Sequence, residues 1–274
     1  MVQFRERLEE ARRRKNSAVC VGLDPRFEQL PPELQQMSPP QALLAFNKAV
    51  LDVVADVCVA AKPQAAFYEL YGAEGFRTLS ETVKYARSHG LLVIVDAKRN
   101  DIGSTAEAYA NAFLHPEGPF DADAVTVNGY LGSDGVQPFL DVANAHGKGV
   151  FVLVKTSNPS SGELQDLLAG GEPVFEHMAR LVDRWDCDAV VGGTYPEQAA
   201  RARQLMPRAT ILVPGYGAQG AIAADVAPSF RPDGSGALVN NARGIIFAAE
   251  GPRTAALTMR DGINEFLSHR GGRG

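Results

Sequence analysis

Eight short apolar runs alternate with helical segments along the chain, and no linker or low-complexity tract interrupts the series. The runs cover residues 18–23, 58–61, 93–95, 124–127, 150–154, 189–191, 211–213 and 237–239, the third strand continuing to Lys98. Such short, continuously apolar runs read as strands buried on both faces, which means a parallel sheet covered by helices. Between them, 3–4 residue apolar spacing and helix punctuation mark the helices, over about 3–14, 39–57, 76–89, 104–114, 136–145, 173–184, 196–207 and 254–267. Ser38-Pro39 reads as an N-cap with proline at the first helical position, Gly90 as a C-cap, and Ser104-Thr105-Ala106-Glu107 as a capping box. Eight such units in 274 residues predict an α/β fold of one kind, a single-domain (β/α)8 TIM barrel spanning residues 1–274. The competing doubly wound open sheet wants a G-x-G-x-x-G after the first strand, and Gly22-Leu23-Asp24-Pro25 is not one.

The third run constrains function most. Val93-Ile94-Val95 leads into Asp96-Ala97-Lys98-Arg99-Asn100-Asp101-Ile102, so a carboxylate and an ammonium stand two apart at the end of a buried strand, on one side of it. Burying such charges is expensive unless they serve each other or a ligand. In a (β/α)8 barrel the active site lies at the C-terminal strand ends. Collected there are Asp24, Lys62, Asp96, Lys98, Asp101, Asn128, Lys155, Ser157, Gln219 and Arg243. Only seven of the 27 basic residues are lysines, and three of them, Lys62, Lys98 and Lys155, close strand-like runs. Lysine offers there a compact ammonium able to give up a proton. Glycines 215, 217 and 220 after the seventh run allow close backbone approach, and Arg243 after the eighth offers a planar fork. Together they predict a phosphate site where this fold commonly has one.

Other chemistries lack their residues. The five histidines fall in helices, at helix ends or in back-side loops, and there is no Gly-x-Ser-x-Gly elbow. No metal site is therefore expected. A net charge of −5 without a block of like charges argues against nucleic acid, and Arg12 to Lys15 read as the solvated end of the first helix. The three cysteines, Cys20, Cys58 and Cys187, lie in apolar surroundings without a CxxC, as reduced thiols of a cytoplasmic protein do. No apolar stretch reaches about 18 residues and the N-terminus lacks a signal-peptide profile, so no membrane association is expected.

Asp96-x-Lys98-x-x-Asp101-Ile102, with Thr105 three beyond, resembles the signature of the orotidine 5′-phosphate decarboxylase family. Asp24, Lys62, Thr156-Ser157-Asn158-Pro159, Pro214-Gly215-x-Gly217-Ala218-Gln219-Gly220 and Arg243 follow that family's order over most of the barrel. Residues 63–69, and 239–246 around Asn240 and Arg243, resemble its longer bacterial branch.

The resemblance implies a cytoplasmic lyase that converts orotidine 5′-phosphate to UMP and CO2 without metal or cofactor, the last step of UMP synthesis. It implies a catalytic array Lys62–Asp96–Lys98–Asp101, with Lys98 stabilising the C6 carbanion and protonating it. Asp24 would hold a ribose hydroxyl, Ser157 would read the pyrimidine amide edge, and Gln219 would bridge base and phosphate. Arg243 would bind the phosphate, with Pro214 among the substrate contacts. It further implies an obligate homodimer in which Asp101, Ile102 and Thr105 enter the partner's site. The D-x-K-x-x-D core is shared with magnesium-dependent sugar-phosphate decarboxylases and aldolases, which stand as the alternative. A Schiff-base aldolase or a non-catalytic phosphate-binding barrel are further ones.

Overall fold

Each predicted strand is short, apolar and bounded by a helix that covers it, and the eight close on themselves. The computed structural model describes residues 2–217 and 220–271. In chain order the elements are α1 (Phe4–Lys15), β1 (Val19–Leu23), α2 (Pro39–Val54), β2 (Ala60–Pro63), α3 (Ala66–Glu69), α4 (Gly72–Ser88), β3 (Leu92–Arg99), α5 (Gly103–Leu114) and β4 (Ala124–Val127). Then follow α6 (Ser133–His146), β5 (Gly149–Lys155), α7 (Gly162–Gln165), a small hairpin of β6 (Leu168–Ala169) and β7 (Glu172–Pro173), and α8 (Val174–Trp185). The chain ends with β8 (Asp188–Val191), α9 (Pro196–Leu205), β9 (Ile211–Val213), α10 (Ala223–Val226), β10 (Ala237–Asn241), α11 (Arg243–Ile246) and α12 (Pro252–Gly271).

The closed barrel has the order β1-β10-β9-β8-β5-β4-β3-β2, every pair parallel. This is the expected (β/α)8 TIM barrel. Its interior is one buried cluster to which every strand contributes: Cys20, Ala60, Ile94, Ala124, Phe151, Val190, Leu212 and Leu238. From below, α1 adds Phe4, Leu8 and Ala11 to the same cluster. Phe4 meets Phe151 edge-on at 5.7 Å between ring centroids. Gly149 makes room for it, because a Cβ there would fall 2.6 Å from the Phe4 ring. The first helix therefore stoppers the N-terminal end of the barrel. A second and larger buried cluster lies between the strands and the outer helices.

Three local expectations are corrected. The Ser104–Glu107 capping box does not form: α5 starts at Gly103 with Ile102 as N-cap and no side-chain cap. Ser38 stands at the N-cap of α2, but its hydroxyl donates to Gln41 Oε1 instead of capping the helix. The basic end of α1 is only partly solvated. Arg12 donates to Gly234 O at 2.5 Å, and Lys15 Nζ donates to the carbonyls of Ala55 and Cys58 at 2.7 and 2.8 Å, so neighbouring loops use these donors. The three cysteines are free and buried as read, and burial pushes each thiol up, Cys58 to about 12.

Candidate active site

Two residues beyond each of those interior positions, the next inward-facing ring comprises Gly22, Lys62, Asp96, Thr126, Leu153, Gly192, Pro214 and Asn240. All of these but the two glycines line a cavity of about 450 Å³ at the C-terminal end of the barrel. One side of this cavity is ionic and the other apolar. Lys62, Asp96, Lys98 and Thr126 come from β2, β3 and β4, while Leu153, Val190, Leu212 and Pro214 face them from β5, β8, β9 and the loop that follows.

Asp96 is the hub of the ionic side. Its Oδ2 accepts from Lys62 Nζ at 2.7 Å and from Gln64 Nε2 at 3.0 Å. Its Oδ1 accepts from Lys98 Nζ at 2.5 Å and from Thr126 Oγ1 at 2.9 Å. Burial alone would raise the Asp96 pKa, but the two ammonium groups outweigh it and hold the carboxyl well below its usual range. Burial likewise opposes the charge on Lys62, yet Asp96 and Asp24 overcome it and hold the ammonium above the ordinary lysine range. Asp24 is shifted the other way, upward, because burial outweighs the pull of Lys62. Its Oδ1 and the Oδ1 of Asn240, both on residues that line the cavity, are buried without a hydrogen-bond partner.

Lys98 reaches Asp96 by an unexpected route. Strict strand alternation would place both residues on one side, but the β3–β4 register slips between Val95 and Arg99. Lys98 itself adopts a left-handed backbone with φ of 48°, a conformation that strains a residue carrying a Cβ. Its N–H is held by Thr126 Oγ1 at 2.9 Å. The same hydroxyl group thus fixes both the backbone of Lys98 and the carboxylate that its ammonium meets. Unlike Lys62, with its side chain 5% exposed, the Lys98 side chain is 42% exposed and stands at the open mouth.

On the far side Thr156, Ser157, Asn158, Gly215, Tyr216, Asn241 and Arg243 complete the lining. Gly217 has φ of 70°, and a Cβ there would lie 3.1 Å from the Asn241 amide, so glycine lets this loop close onto β10. Gln219 lies outside the described residues.

Of the residues read from sequence, the fold thus gathers Asp24, Lys62, Asp96, Lys98, Ser157, Pro214 and Arg243 around one cavity. It does not bring Asp101, Ile102 or Thr105 to that lining; Ile102 is 53% exposed on the rim. Asn128 caps its own turn by accepting from the Tyr130 N–H, and Lys155 is buried away from the cavity. Gln64, Thr126, Asn240 and Asn241 went unassigned in the sequence, although period-two counting from Lys62, Ala124 and Leu238 points to the first three.

Residues 17–259 match the family described as orotidine 5′-phosphate decarboxylase / HUMPS. The chain belongs to that family. It is 45% identical over 270 residues to the orotidine 5′-phosphate decarboxylase of Rhodopirellula baltica, covering 90% of this chain and 89% of the relative. The Leishmania donovani OMP decarboxylase structure superposes with a TM-score of 0.84 at 37% identity, covering 97% of this chain and 99% of that one. Leishmania donovani UMP synthase gives 0.86 at 39% identity, and there the family barrel covers 97% of this chain but 57% of the longer protein. Membership gives a frame for the charged array, because Asp96 and Lys98 of the D-x-K-x-x-D segment stand at its centre. Among the described residues no three His, Cys, Asp or Glu side chains are grouped to hold a metal ion, and no helix is long and apolar enough to cross a membrane.

Proposed function

We propose that the chain decarboxylates orotidine 5′-phosphate to UMP and CO2, acting as a carbon–carbon lyase in UMP synthesis. One observation carries the reading: a carboxylate held between two ammonium groups faces an apolar wall across a cavity of nucleotide size, with an arginine at its far rim. A flat pyrimidine suits Leu153, Val190 and Leu212, and its phosphate suits Arg243. A sugar phosphate would want hydroxyl partners where that apolar wall stands.

In this reading the C6–carboxylate bond breaks and CO2 leaves with its electron pair remaining at C6. The Lys98 ammonium stabilises that carbanion in a site preorganised for it and then transfers its proton to C6. Asp96 positions Lys98, and Lys62, buried and charged beneath, holds Asp96 ionised. Asp24, with an unpaired buried oxygen, accepts from a ribose hydroxyl, and Ser157 reads the amide edge of the base. Phosphate bound at Arg243 is remote from the breaking bond, so its binding energy is available to organise the site. The chemistry so written draws on no metal or organic cofactor.

The same reading makes the active form a homodimer with composite sites. Asp101, Ile102 and Thr105 stand at the rim, off their own cavity, and Asp101 and Leu131 flank Gly135. Exposed Tyr130 and Leu131 extend the apolar surface that Ile102 begins. Buried, unpaired thiols support a cytoplasmic place of work.

The test follows decarboxylation of orotidine 5′-phosphate by absorbance with EDTA present. Conversion by the wild type, lost in Lys98→Ala, is the expected result. No turnover by folded protein, or activity restored only by magnesium with a sugar phosphate, would refute it. Mixing Asp101→Ala with Lys98→Ala subunits should restore activity through hybrid dimers, and no recovery after proven exchange would exclude the shared site.

A further inference from the structure

Thr156, Ser157 and Asn158 line the cavity, but the segment that follows them has almost no core of its own. Between residues 159 and 173 only Ser161 is buried; α7 buries nothing and Leu168 on the hairpin is 70% exposed. Hydrophobic burial therefore does not hold this segment against the barrel, and polar contacts must.

The hairpin is tied to α8 through His177 and Arg180, and the contacts nearest Ser157 converge on Lys155, the last residue of β5. Its side chain is fully buried, points away from the cavity, and places Nζ 2.8 Å from Asp166 Oδ1 and 4.9 Å above the Tyr195 ring. Gln198 Nε2 donates to the same Asp166 oxygen at 3.1 Å. Next to Asp166, Gln165 grips Thr156 twice: its Oε1 accepts the Thr156 N–H at 2.9 Å and its Nε2 donates to Thr156 Oγ1 at 2.7 Å. Tyr195, under which Lys155 lies, donates from Oη to Asn158 O at 3.3 Å, and Thr194 Oγ1 donates to Ser157 O at 3.4 Å. Gly192 admits Ser157 closely, since a Cβ there would fall 2.8 Å from that of Ser157.

We propose that Lys155 and Asp166 form a latch that positions Ser157 for recognition of the pyrimidine ring. They are positioning residues: neither lines the cavity. The proposal rests on the reading of the cavity as a site for orotidine 5′-phosphate. Asp166 supplies the counter-charge that lets an ammonium sit fully buried, and Lys155 in return fixes the place of Gln165 and Tyr195, the two residues that hold the Ser157 segment. Without the latch, Ser157 is no longer held at the wall where the base lies, while Arg243, carried by the separate segment after β10, is untouched.

The experiment compares wild type, Lys155→Met, Asp166→Asn and the double variant. Binding of UMP and of ribose 5-phosphate, which shares the phosphate but lacks the base, is measured by calorimetry beside turnover of orotidine 5′-phosphate. Each single variant is expected to weaken UMP about 10–100-fold, the range of one charge-assisted contact, with kcat/KM falling in parallel. Ribose 5-phosphate should bind as in wild type, and the double variant should be no worse than the singles. Asp166 is the more exposed partner and can hydrate when left alone, so Lys155→Met keeps the test available where Asp166→Asn, which strands the buried ammonium, does not fold. UMP affinity unchanged in either single variant, equal weakening of both ligands, or additive losses would each overturn the latch. A wild type that neither turns over orotidine 5′-phosphate nor binds UMP would refute the functional reading itself, and the latch with it.

Discussion

Replacing Asp96 by asparagine removes one charge and almost no volume from the place where two ammonium groups meet. Lys98 is 42% exposed and can hydrate, so the loss falls on Lys62, whose side chain is 5% exposed. The remaining groups facing Lys62 are the Asp24 carboxyl and the neutral Cys20 thiol. Removing one partner of a buried pair costs about 3–5 kcal/mol, which for a domain of this size lowers Tm by roughly 6–20 °C. The pH dependence carries a sharper signature. In wild type the raised pKa of Lys62 contributes stability that is fully present below about pH 10.4 and lost as pH rises through the folded-state pKa. The depressed pKa of Asp96 contributes stability present above about pH 3.9 and lost as pH falls through the folded-state pKa. Between those limits the pair adds no slope. In Asp96→Asn, burial is the largest influence on Lys62 and only Asp24 opposes it, so the pKa falls below the ordinary lysine range. The unfolded chain then binds the extra proton, and stability rises with pH toward about 10.4. Thermal unfolding of variant and wild type from about pH 6 to 10, taken as a difference, cancels the groups they share. Adding Lys62→Met to the variant should recover most of the loss and abolish the slope. A variant within about 1 kcal/mol of wild type and without that slope would refute the buried-pair argument.

Arg243→Ala should weaken UMP and inorganic phosphate alike, about 10–100-fold, as loss of a charge-assisted phosphate contact does; competitive inhibition measures both. Phe4→Ala should unstopper the barrel and cost about 3–5 kcal/mol in denaturant unfolding, with kcat per folded molecule unchanged because Phe4 lies at the end remote from the cavity.

The array was legible because charged residues at the end of an apolar strand are costly and therefore conspicuous. Asp24, Lys62, Asp96 and Lys98 could be collected from their places alone once eight strands were counted. How Lys98 reaches Asp96 was not legible. The register slip and the left-handed backbone depend on Thr126, almost 30 residues away, and alternation within one strand cannot foresee a partner strand. Lys155 misled for the same reason: it ends a strand as Lys98 does, but slippage between Leu153 and Lys155 turns it from the cavity toward Asp166. The capping box at Ser104 failed because a motif offers a cap without requiring it, and Gly103 takes the helix start with φ of 53°. The amphipathic face of α1 was visible, but its docking into the barrel depends on Gly149 and Phe151, far along the chain.

The division of the cavity into an ionic and an apolar side coincides with a division of the chain. The charged members Asp24, Lys62, Asp96 and Lys98, with Gln64 and Thr126, precede residue 127, and the apolar wall of Leu153, Val190, Leu212 and Pro214, with Arg243, follows it. Within the barrel sheet the two halves meet at two seams, β4 with β5 and β10 with β1. Reagents and grip are therefore inherited separately. Substitutions in the second half can alter what the barrel holds while the charged apparatus of the first stays assembled, so substrate range can drift in this scaffold without the chemistry being rebuilt.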